Sequence, residues 1–182
     1  YKKPTVVNNV ETLAAAAGVL LNGSEKFSAI GNKKSAGTKL VCFDSFFNNP
    51  GVYEIEMGTP MKKVLYDIGG GFKEDIKALQ IGGPLGGVIP IAEAEKLNLD
   101  FQEFTSAGFM LGHASIVSIP KDFPMVEYIH HLFEFTAEES CGKCFPGRLG
   151  SYRGKEMFDQ LKSKKAKIPL KVLNDLLITM KK

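Results

Sequence analysis

The feature that most constrains this chain is a pair of cysteines on a glycine-containing turn late in the sequence. Cys141 and Cys144 have the C-x-x-C spacing, which lets two thiolates bind one metal ion or one iron–sulfur cluster. The cationic Lys143 and Arg148 lie close to the pair in the sequence. Two thiolates are only half of a four-ligand site, so a complete site needs further ligands.

The composition is ordinary for a water-soluble globular protein. The 182 residues are 44% hydrophobic and 24% charged, which is enough for one sizeable domain or two small ones. The net charge of +3 is too small to predict nucleic-acid binding. The lysines crowd the last part of the chain, where a solvated helical face is favoured over a docking surface.

Cysteine content and hydropathy bear on the compartment. Three cysteines are too few for a secreted disulfide framework, and no apolar run approaches the roughly twenty residues that span a bilayer. We therefore expect a reduced, cytoplasmic chain with no direct membrane insertion, although it can lie at the membrane periphery within a complex. The first residue is Tyr1 rather than Met, and the last residues continue a helical pattern, so the chain is expected to be a fragment.

Residue periodicity predicts helices at both ends of the chain and strands between them. An alanine-rich run at 13–21 predicts a helix with Asn8 or Asn9 as its N-cap. Short strand-like patterns predict a β-hairpin at 38–44 and 51–57, a further strand at 77–81 and a buried strand at 114–120 that ends at a proline. Between them, a capping residue and a proline at Thr59 and Pro60 predict the start of a short helix. After Pro124 the period is helical again, which predicts the beginning of a small helical bundle.

The order of these elements favours an α+β fold. A hairpin, a short helix and further strands suit a β-grasp domain, in which a small mixed sheet wraps one helix. The last predicted helix, over 170–180, has an apolar face that we expect to be partly uncovered.

Other residues that often bind metals or ligands receive a structural interpretation. Cys42 lies in the first predicted strand, and we expect it to be a small buried hydrophobic side chain. His113 is assigned no catalytic role, and the adjacent His130 and His131 point to different faces of a helix. The glycine-rich run 82–87 has neither a Walker ending nor a G-x-G-x-x-G spacing, so a plain turn is favoured over a packing or quinone-like ligand role.

Two stretches resemble one known family. The sequence from Glu139 to Gly150 resembles the cluster-binding segment of the NADH-binding flavoprotein subunit of respiratory complex I and its soluble relatives. In that family, E-S-C-G-x-C-x-P-C-R-x-G begins a tetracysteine [4Fe–4S] site. The string from Pro4, P-T-x-V-N-N-V-E-T-L-A, is similar to a family signature that follows the flavin domain. The resemblance covers essentially the whole chain.

The resemblance implies residue roles. Cys141 and Cys144 correspond to the first two cluster ligands. The positions that correspond to residues lining the FMN site are Val7, Asn8, Asn9 and Thr12. A helix N-terminus with free N–H donors suits a flavin phosphate or the ring oxygens.

Gly147 is where the sequence departs from the family pattern. It occupies the position of the third cluster ligand and has no side chain with which to bind iron. The fourth cysteine of the family would lie beyond Lys182. We therefore expect the chain to supply at most two of the four ligands and to bind no cofactor stably by itself. Gly147 indicates either an altered residue or a divergent member whose cluster is lost or held by a substitute ligand.

The resemblance also implies a division of the chain. Residues 1–36 are a helical segment that trails the flavin domain, residues 37–120 are a soluble-ligand-binding β-grasp domain, and residues 121–182 are a partial helical cluster-binding domain. The function implied is that of an NADH:acceptor oxidoreductase of the quinone type, or NADH dehydrogenase. Electrons pass from the substrate NADH through FMN to a [4Fe–4S] cluster and then to partner subunits, including a thioredoxin-like [2Fe–2S] subunit.

Two alternatives remain open from the sequence. The chain alone can be a non-catalytic β-grasp scaffold that docks partner subunits or a small soluble ligand, because the hydride-transfer apparatus would lie outside it. A weaker alternative makes the C-x-x-C pair half of a zinc site shared between chains, or a redox dithiol. The terminal electron acceptor of the whole protein is also left open.

Overall fold

A five-stranded sheet forms the centre of the protein in a computed structural model that describes residues 2–163 and 167–181. The strands are β1 (Thr38–Phe43), β2 (Gly51–Glu56), β3 (Ile76–Ile81), β4 (Gly87–Pro90) and β5 (Ser115–Pro120). They lie in the order β2-β1-β5-β3-β4. β1 and β5 are parallel, and all other neighbours are antiparallel. The fold is therefore of the mixed α/β kind with an open sheet.

Helices lie before, between and after the strands in the sequence. The α-helices are α1 (Val10–Asn22), α2 (Ser24–Ser28), α3 (Ile91–Ala94), α4 (Phe101–Ser106), α5 (Met125–Glu139), α6 (Ser151–Lys162) and α7 (Leu170–Lys181). Two π-helical segments, Lys63–Ile68 and Pro146–Gly150, lie between β2 and β3 and directly before α6. No helix among the described residues combines the length and apolar character needed to cross a membrane.

The predicted β-hairpin is confirmed as β1 and β2, paired from Thr38 opposite Glu56 to Phe43 opposite Gly51. Burial alternates along β1, so that Val41 and Phe43 are buried while Cys42 is exposed. The prediction that Cys42 is buried is therefore wrong. The period of two in a strand places its side chain on the face opposite to its two apolar neighbours.

The main hydrophobic core lies on one face of the sheet. Val64 and Leu65 of the first π-helical segment are buried in it, as the predicted short helix requires. The ring of Phe47 lies 4.6 Å, between centroids, from the rings of Phe43 and Phe72. The helix begins at Met61, directly after Pro60 as predicted, but the hydroxyl of Thr59 donates to the Glu56 carbonyl and does not cap the helix.

The opposite face of the sheet packs against α5. Ala78 of β3 and Ile119 of β5 pack with Tyr128, whereas Leu79 of β3 and Ile116 of β5 belong to the main core. Successive residues of a strand point to opposite faces, so β3 and β5 are covered on both sides.

The helices α5 and α6 form a pair in close contact. The rings of Phe133 and Phe158 stack with centroids 5.6 Å apart. A Cβ atom at Gly154 would lie 2.1 Å from the Phe133 ring, so this glycine permits the close approach. Polar links between the helices join Glu127 to Lys162 (2.6 Å), His130 to Asp159 (2.7 Å) and Glu134 to Lys155 (3.1 Å).

The lysine-rich end of the chain is largely solvated. Lys167, Lys171 and Lys181 are exposed on and before α7, which has no buried residue. Lys164, Lys165 and Lys182, which belong to the same predicted face, lie outside the described residues. Leu170, Val172, Leu177 and Ile178 of α7 are exposed, in line with the predicted uncovered apolar face.

The glycine-rich run turns the chain between β3 and β4, as predicted. Gly82 and Gly83 have φ values of +87° and +94°, a region that side chains rarely adopt. A Cβ atom at Gly82 would lie 2.6 Å from the carbonyl oxygen of Leu111. The run therefore also packs closely against the segment that leads into β5.

Candidate functional site

The two cysteines lie on a short turn between two helical elements. α5 ends at Glu139, Ser140 is extended, and the backbone is helical again from Phe145 into the second π-helical segment. Cys141 and Cys144 are both exposed, and both are free thiols. The turn therefore presents the predicted pair at the protein surface.

Hydrogen bonds at both ends hold the turn. Gly142 has φ of +70°, and its N–H donates to Ser140 Oγ at 3.2 Å. The N–H of Arg148 donates to the Cys144 carbonyl at 2.9 Å. A side chain at 142 would be strained whatever space it found, so glycine is needed there for its backbone conformation.

Gly147 lies directly against this turn. A Cβ atom at 147 would be 3.3 Å from Cys144 Sγ and 2.4 Å from Ser140 Oγ. Position 147 therefore points at the Cys144 sulfur, and the Ser140 hydroxyl fills the space that a side chain there would enter. No sequence pattern indicates this contact, because it joins residues seven positions apart across an irregular turn.

The donor set does not fit a four-thiolate cluster. In the described parts of the chain, no group of three or more His, Cys, Asp or Glu side chains could hold a metal ion. Cys141 and Cys144 supply two thiolates, and Gly147 supplies none at the third position. A [4Fe–4S] cluster bound by four cysteines would need two further ligands.

Neighbouring elements support the turn from behind. The Ser151 hydroxyl donates to the Gly147 carbonyl, and Gly150 lies against Met180 of α7.

Nearby on the paired helices, the hydrogen bond from Lys155 lowers the pKa of the Glu134 carboxyl, and the same contact raises the pKa of Lys155. The ion pair between α5 and α6 thus stays charged over the ordinary pH range.

The predicted flavin-site residues lie together at the start of α1. Asn9 is the N-cap, as predicted, because its side chain accepts a hydrogen bond from the Glu11 N–H at 2.8 Å. Asn8 Oδ1 accepts from the Asn9 N–H at 2.8 Å. Val7 is 93% exposed, and Thr12 is exposed as well. The six predicted residues thus form two groups, one at the start of α1 and one at the cysteine turn.

Glu11 has a role that the sequence does not indicate, because the sequence predicts only that it lies in the first turn of a helix. Its carboxylate is hydrogen-bonded to the Lys39 ammonium and accepts from the Leu40 N–H at 3.1 Å. Burial raises the pKa of Glu11, but these hydrogen bonds outweigh burial and lower it below its ordinary value. Lys39, whose side chain is 8% exposed, and Glu11 therefore attach the start of α1 to β1.

A groove of about 600 Å³ lies between the two N-terminal helices and the hairpin. Ala14, Gly18 and Phe27 line its helical side, and Leu40 and Glu54 line its strand side. The lining is mainly apolar and also includes Glu11 and Glu54. It is the kind of surface that a small, partly apolar molecule can enter.

Comparison with known proteins gives several matches. Residues 127–182 match the family model of the NADH-ubiquinone oxidoreductase-F iron–sulfur binding region. The chain is 36% identical over 163 residues to NADP-reducing hydrogenase subunit HndC of Solidesulfovibrio fructosivorans, covering 88% of this chain and 33% of that protein. It is 41% identical over 152 residues to an F subunit of the NADH-quinone oxidoreductase of Rhizobium meliloti, covering 82% and 36%.

A further relative and a solved structure agree with these matches. The F subunit of the NADH-quinone oxidoreductase of Escherichia coli is 40% identical over 153 residues, covering 82% of this chain and 34% of that protein. The crystal structure of an NAD⁺-reducing [NiFe]-hydrogenase in the air-oxidised state superposes with a TM-score of 0.77 and 31% identity. The match covers 88% of this chain and 27% of the hydrogenase chain.

The chain spans about a third of the length of the curated relatives that it matches. Each match covers more than four fifths of this chain, so it includes the central sheet. The chain is therefore similar to the C-terminal part of NADH-quinone oxidoreductase F subunits, and its residues 127–182 match their iron–sulfur binding region.

Proposed function

We propose that this chain forms part of an NADH-oxidising electron-transfer subunit. In the whole protein, electrons would pass from NADH through FMN towards an iron–sulfur centre and then to a partner subunit of a cytoplasmic or membrane-peripheral complex. The observation that carries this proposal is the match of residues 127–182, which contain the cysteine turn, to an iron–sulfur binding region. The relatives are named as subunits of quinone oxidoreductases and of hydrogenases that reduce NAD or NADP.

The start of α1 is the proposed contact with FMN. When bound, FMN supplies the conversion between two-electron hydride transfer and one-electron steps. Val7, Asn8, Asn9 and Thr12 would line it, and the first backbone N–H groups of α1 would donate to its anionic groups. Their exposure at one end of the helix supports this role, because a ligand can reach all four.

The finer description of the fold is also a proposal. A β-grasp sheet for residues 37–120 is supported by the β1–β2 hairpin, the parallel pairing of β1 with β5 and the π-helical segment packed on one face. Residues 1–36 would then be a helical segment between the flavin domain and the sheet, and residues 121–182 a helical metal-binding region. A thioredoxin-like [2Fe–2S] subunit is the partner that we propose for the complex.

At the cysteine turn, we propose that Cys141 and Cys144 are metal ligands. Both cysteines are exposed residues, and hydrogen bonds hold the turn at both ends. Because no third cysteine of the described residues joins this turn, we assign no electron-transfer step to a cluster on this chain.

A chimera tests the proposal. This chain would replace the matching part of the Escherichia coli protein, and NADH-dependent ferricyanide reduction and bound FMN would be measured. We expect an active chimera, and we expect Asn8→Ala or Thr12→Ala to lower FMN affinity about tenfold or more, as for loss of a hydrogen bond to a charged group. Asn22→Ala, at the other end of α1, is the matched control. The flavin-site assignment is refuted if the chimeras with Asn8→Ala, with Thr12→Ala and with Asn22→Ala all fold and bind FMN as tightly as the unchanged chimera.

The isolated chain provides a second test. We expect no NADH-dependent dye reduction by it, since the proposed flavin contacts are only one edge of a nucleotide site. Dye reduction by the pure chain would contradict the proposal that this chain supplies only one edge of the nucleotide site and that the rest of the subunit completes it.

A second candidate function is a non-catalytic scaffold that docks partner subunits or a small soluble ligand. Gly147 favours the scaffold function, because the incomplete cysteine site limits electron transfer. The groove between α1, α2 and the hairpin favours it as well, because it offers a surface for a ligand or partner. In the chimera, replacing both Cys141 and Cys144 with Ser separates the candidates. The scaffold function is favoured if electron transfer to the natural acceptor is unchanged without the two cysteines and if Ala14→Trp in the groove prevents subunit assembly.

A further inference from the structure

The start of α1 is attached to β1 by an ion pair, and we infer that this pair controls how tightly the protein binds FMN. Glu11 and Lys39 are positioning residues, which hold the first turn of α1 on the sheet and act on the flavin through the residues of that turn. This inference rests on the flavin contacts proposed above for the start of α1. It goes beyond them by naming residues that influence flavin binding from outside the flavin site.

The first argument is a continuous set of hydrogen bonds from the proposed flavin contacts to the sheet. Asn8 Oδ1 accepts from the Asn9 N–H, and Asn9 Oδ1 accepts from the Glu11 N–H, each at 2.8 Å. The Glu11 carboxylate is hydrogen-bonded to the Lys39 ammonium and accepts from the Leu40 N–H of β1 at 3.1 Å. A shift of Glu11 away from β1 would therefore move both asparagines with it.

The second argument is that apolar packing does little to fix α1. The helix contains no buried residue. Beyond its first turn, a groove of about 600 Å³ lies between Ala14 and Gly18 of α1 and the hairpin. Segments with few buried contacts open locally at lower free energy than a packed core. The ion pair therefore contributes strongly to the fraction of molecules in which α1 is docked on β1.

The third argument is the charge and burial of the pair. The Lys39 side chain is only 8% exposed, and a buried ammonium is costly without a partner. Burial raises the pKa of the Glu11 carboxyl, but the hydrogen bonds from Lys39 and Leu40 outweigh burial and lower the pKa below its ordinary value. Glu11 is therefore charged at neutral pH, and its removal leaves the Lys39 ammonium without this carboxylate.

The expected size of the effect follows from the docked fraction. FMN binds the molecules in which α1 is docked, so the apparent Kd is the intrinsic Kd divided by that fraction. A docked fraction of about one tenth raises the apparent Kd about tenfold. Excess FMN restores the docked position, so activity at saturating FMN is kept.

The chimera with the Escherichia coli protein tests this effect. Glu11→Ala should raise the Kd for FMN about tenfold, measured by flavin fluorescence in a titration of the FMN-free chimera. Ferricyanide reduction at saturating FMN should change little. Glu93→Ala is the matched control, because it removes an exposed carboxylate that pairs with Lys96 at 2.7 Å, and it should change neither quantity.

A double-mutant cycle tests whether the pair acts as a unit. Lys39→Met removes the buried ammonium, so Glu11→Ala should weaken FMN binding clearly less in the Lys39→Met background than in the natural one. Equal effects of Glu11→Ala in both backgrounds would overturn the role of the pair.

Amide hydrogen exchange of the 182-residue chain, followed by NMR without flavin, tests the attachment itself. The Leu40 N–H reports it directly, because Glu11 is its acceptor, and the Leu13 N–H reports the first turn of α1, because it donates to the Asn9 carbonyl. Glu11→Ala should speed the exchange of both and leave the amides of β3 unchanged. Faster exchange throughout the sheet would indicate a general loss of stability and would overturn the positioning role.

The outcomes separate this inference from the proposed function. If Asn8→Ala weakens FMN binding and Glu11→Ala does not, the flavin contacts stand and the positioning role is wrong. If neither change weakens FMN binding, the flavin contacts and the positioning role are both wrong. The exchange of the Leu40 N–H then still shows whether Glu11 holds α1 on the sheet.

Discussion

The sheet and the helices at the ends of the chain differ sharply in how they are stabilised. The sheet region from β1 to β5 encloses a continuous core with fully buried side chains such as Phe47, Met61 and Leu79. α5 and α6 bury one side each, and α1 and α7 contain no buried residue. α1 is attached by the Glu11–Lys39 pair, and α7 lies on the second π-helical segment through Met180 and Gly150.

This difference locates the candidate sites in the less buried parts of the molecule. The proposed flavin contacts lie at the start of α1, and the cysteine turn joins α5 to the π-helical segment before α6. Segments with few buried apolar contacts open locally at lower free energy than the core. The sheet therefore serves as the stable base, and the sites lie where ligands or neighbouring domains can add stability.

The largest expected effect is a core truncation in the sheet region. Phe47→Ala removes a fully buried ring that contacts Phe43 and Phe72. We expect a loss of about 3–5 kcal/mol in the free energy of unfolding, measured by urea denaturation. Phe145→Ala, an exposed ring at the cysteine turn, is the matched control. A similar loss for both variants would contradict the contrast between the two regions.

The second effect concerns a buried carboxylate of the sheet region. Asp100 is the N-cap of α4 and accepts hydrogen bonds from Asn32 and from the Gln102 and Glu103 N–H groups. Burial alone raises the pKa of Asp100, but these donors outweigh it and lower the pKa from 3.8 to about 2. The charged form is thus the one that stabilises the fold.

The direction in which stability changes with pH follows from the lowered pKa of Asp100. The contribution of Asp100 is complete above about pH 4 and is lost as the pH falls through about 2, a loss of about 2 kcal/mol. Asp100→Asn should remove this part of the pH dependence of the free energy of unfolding. The measurement compares the free energies of unfolding of the natural chain and of the variant, obtained from denaturation curves at several pH values. Glu134→Gln, on the exposed side of the helical pair, should change the acid dependence less. Parallel curves for natural and Asp100→Asn chains would disprove the role of Asp100.

The third effect tests the close approach of α5 and α6. Gly154→Ala places a Cβ atom 2.1 Å from the Phe133 ring, which is itself stacked on Phe158. Overpacking costs about 1–3 kcal/mol, and the better helix propensity of Ala recovers part of that, so we expect a net loss of about 1–2 kcal/mol.

Gly18→Ala in α1 is the matched control, because no atom lies within 4 Å of the added Cβ. It should stabilise α1 by up to about 1 kcal/mol. Amide hydrogen exchange assigns each change to its helix. A stabilising Gly154→Ala would mean that the two helices are further apart than this packing requires.

The local elements were predictable because their signals are local. Alternation indicated β2, short strand-like runs indicated β1, β3 and β5, and the amide side chain of Asn9 indicated the start of α1. The four-residue β4 was not predicted, since a short strand closed by Pro90 has little pattern to detect. The insertion of β5 between β1 and β3 joins residues more than seventy positions apart, such as Cys42 and Ser115, and local periodicity carries no information about it.

The candidate site was predictable in its residues but not in its geometry. The C-x-x-C spacing identified Cys141 and Cys144, and the family pattern identified the missing side chain at Gly147. That Ser140 fills the space beside Gly147 depends on the path of an irregular turn. That Glu11 bonds to Lys39 depends on how α1 lies on the sheet. Both contacts are products of tertiary structure, and no residue pattern in the chain encodes them.

The smallest effect is expected on the apolar side of α7. Leu170 is 78% exposed and Ile178 is 50% exposed, so Leu170→Ala and Ile178→Ala should each change the free energy of unfolding by no more than about 0.5 kcal/mol. Urea denaturation at two protein concentrations checks this. A larger loss that grows with concentration would mean that a second copy covers α7, because association stabilises the folded state by mass action. A small change that does not depend on concentration would mean that the exposed apolar side chains of α7 add little stability, in contrast to the buried side chains of the sheet.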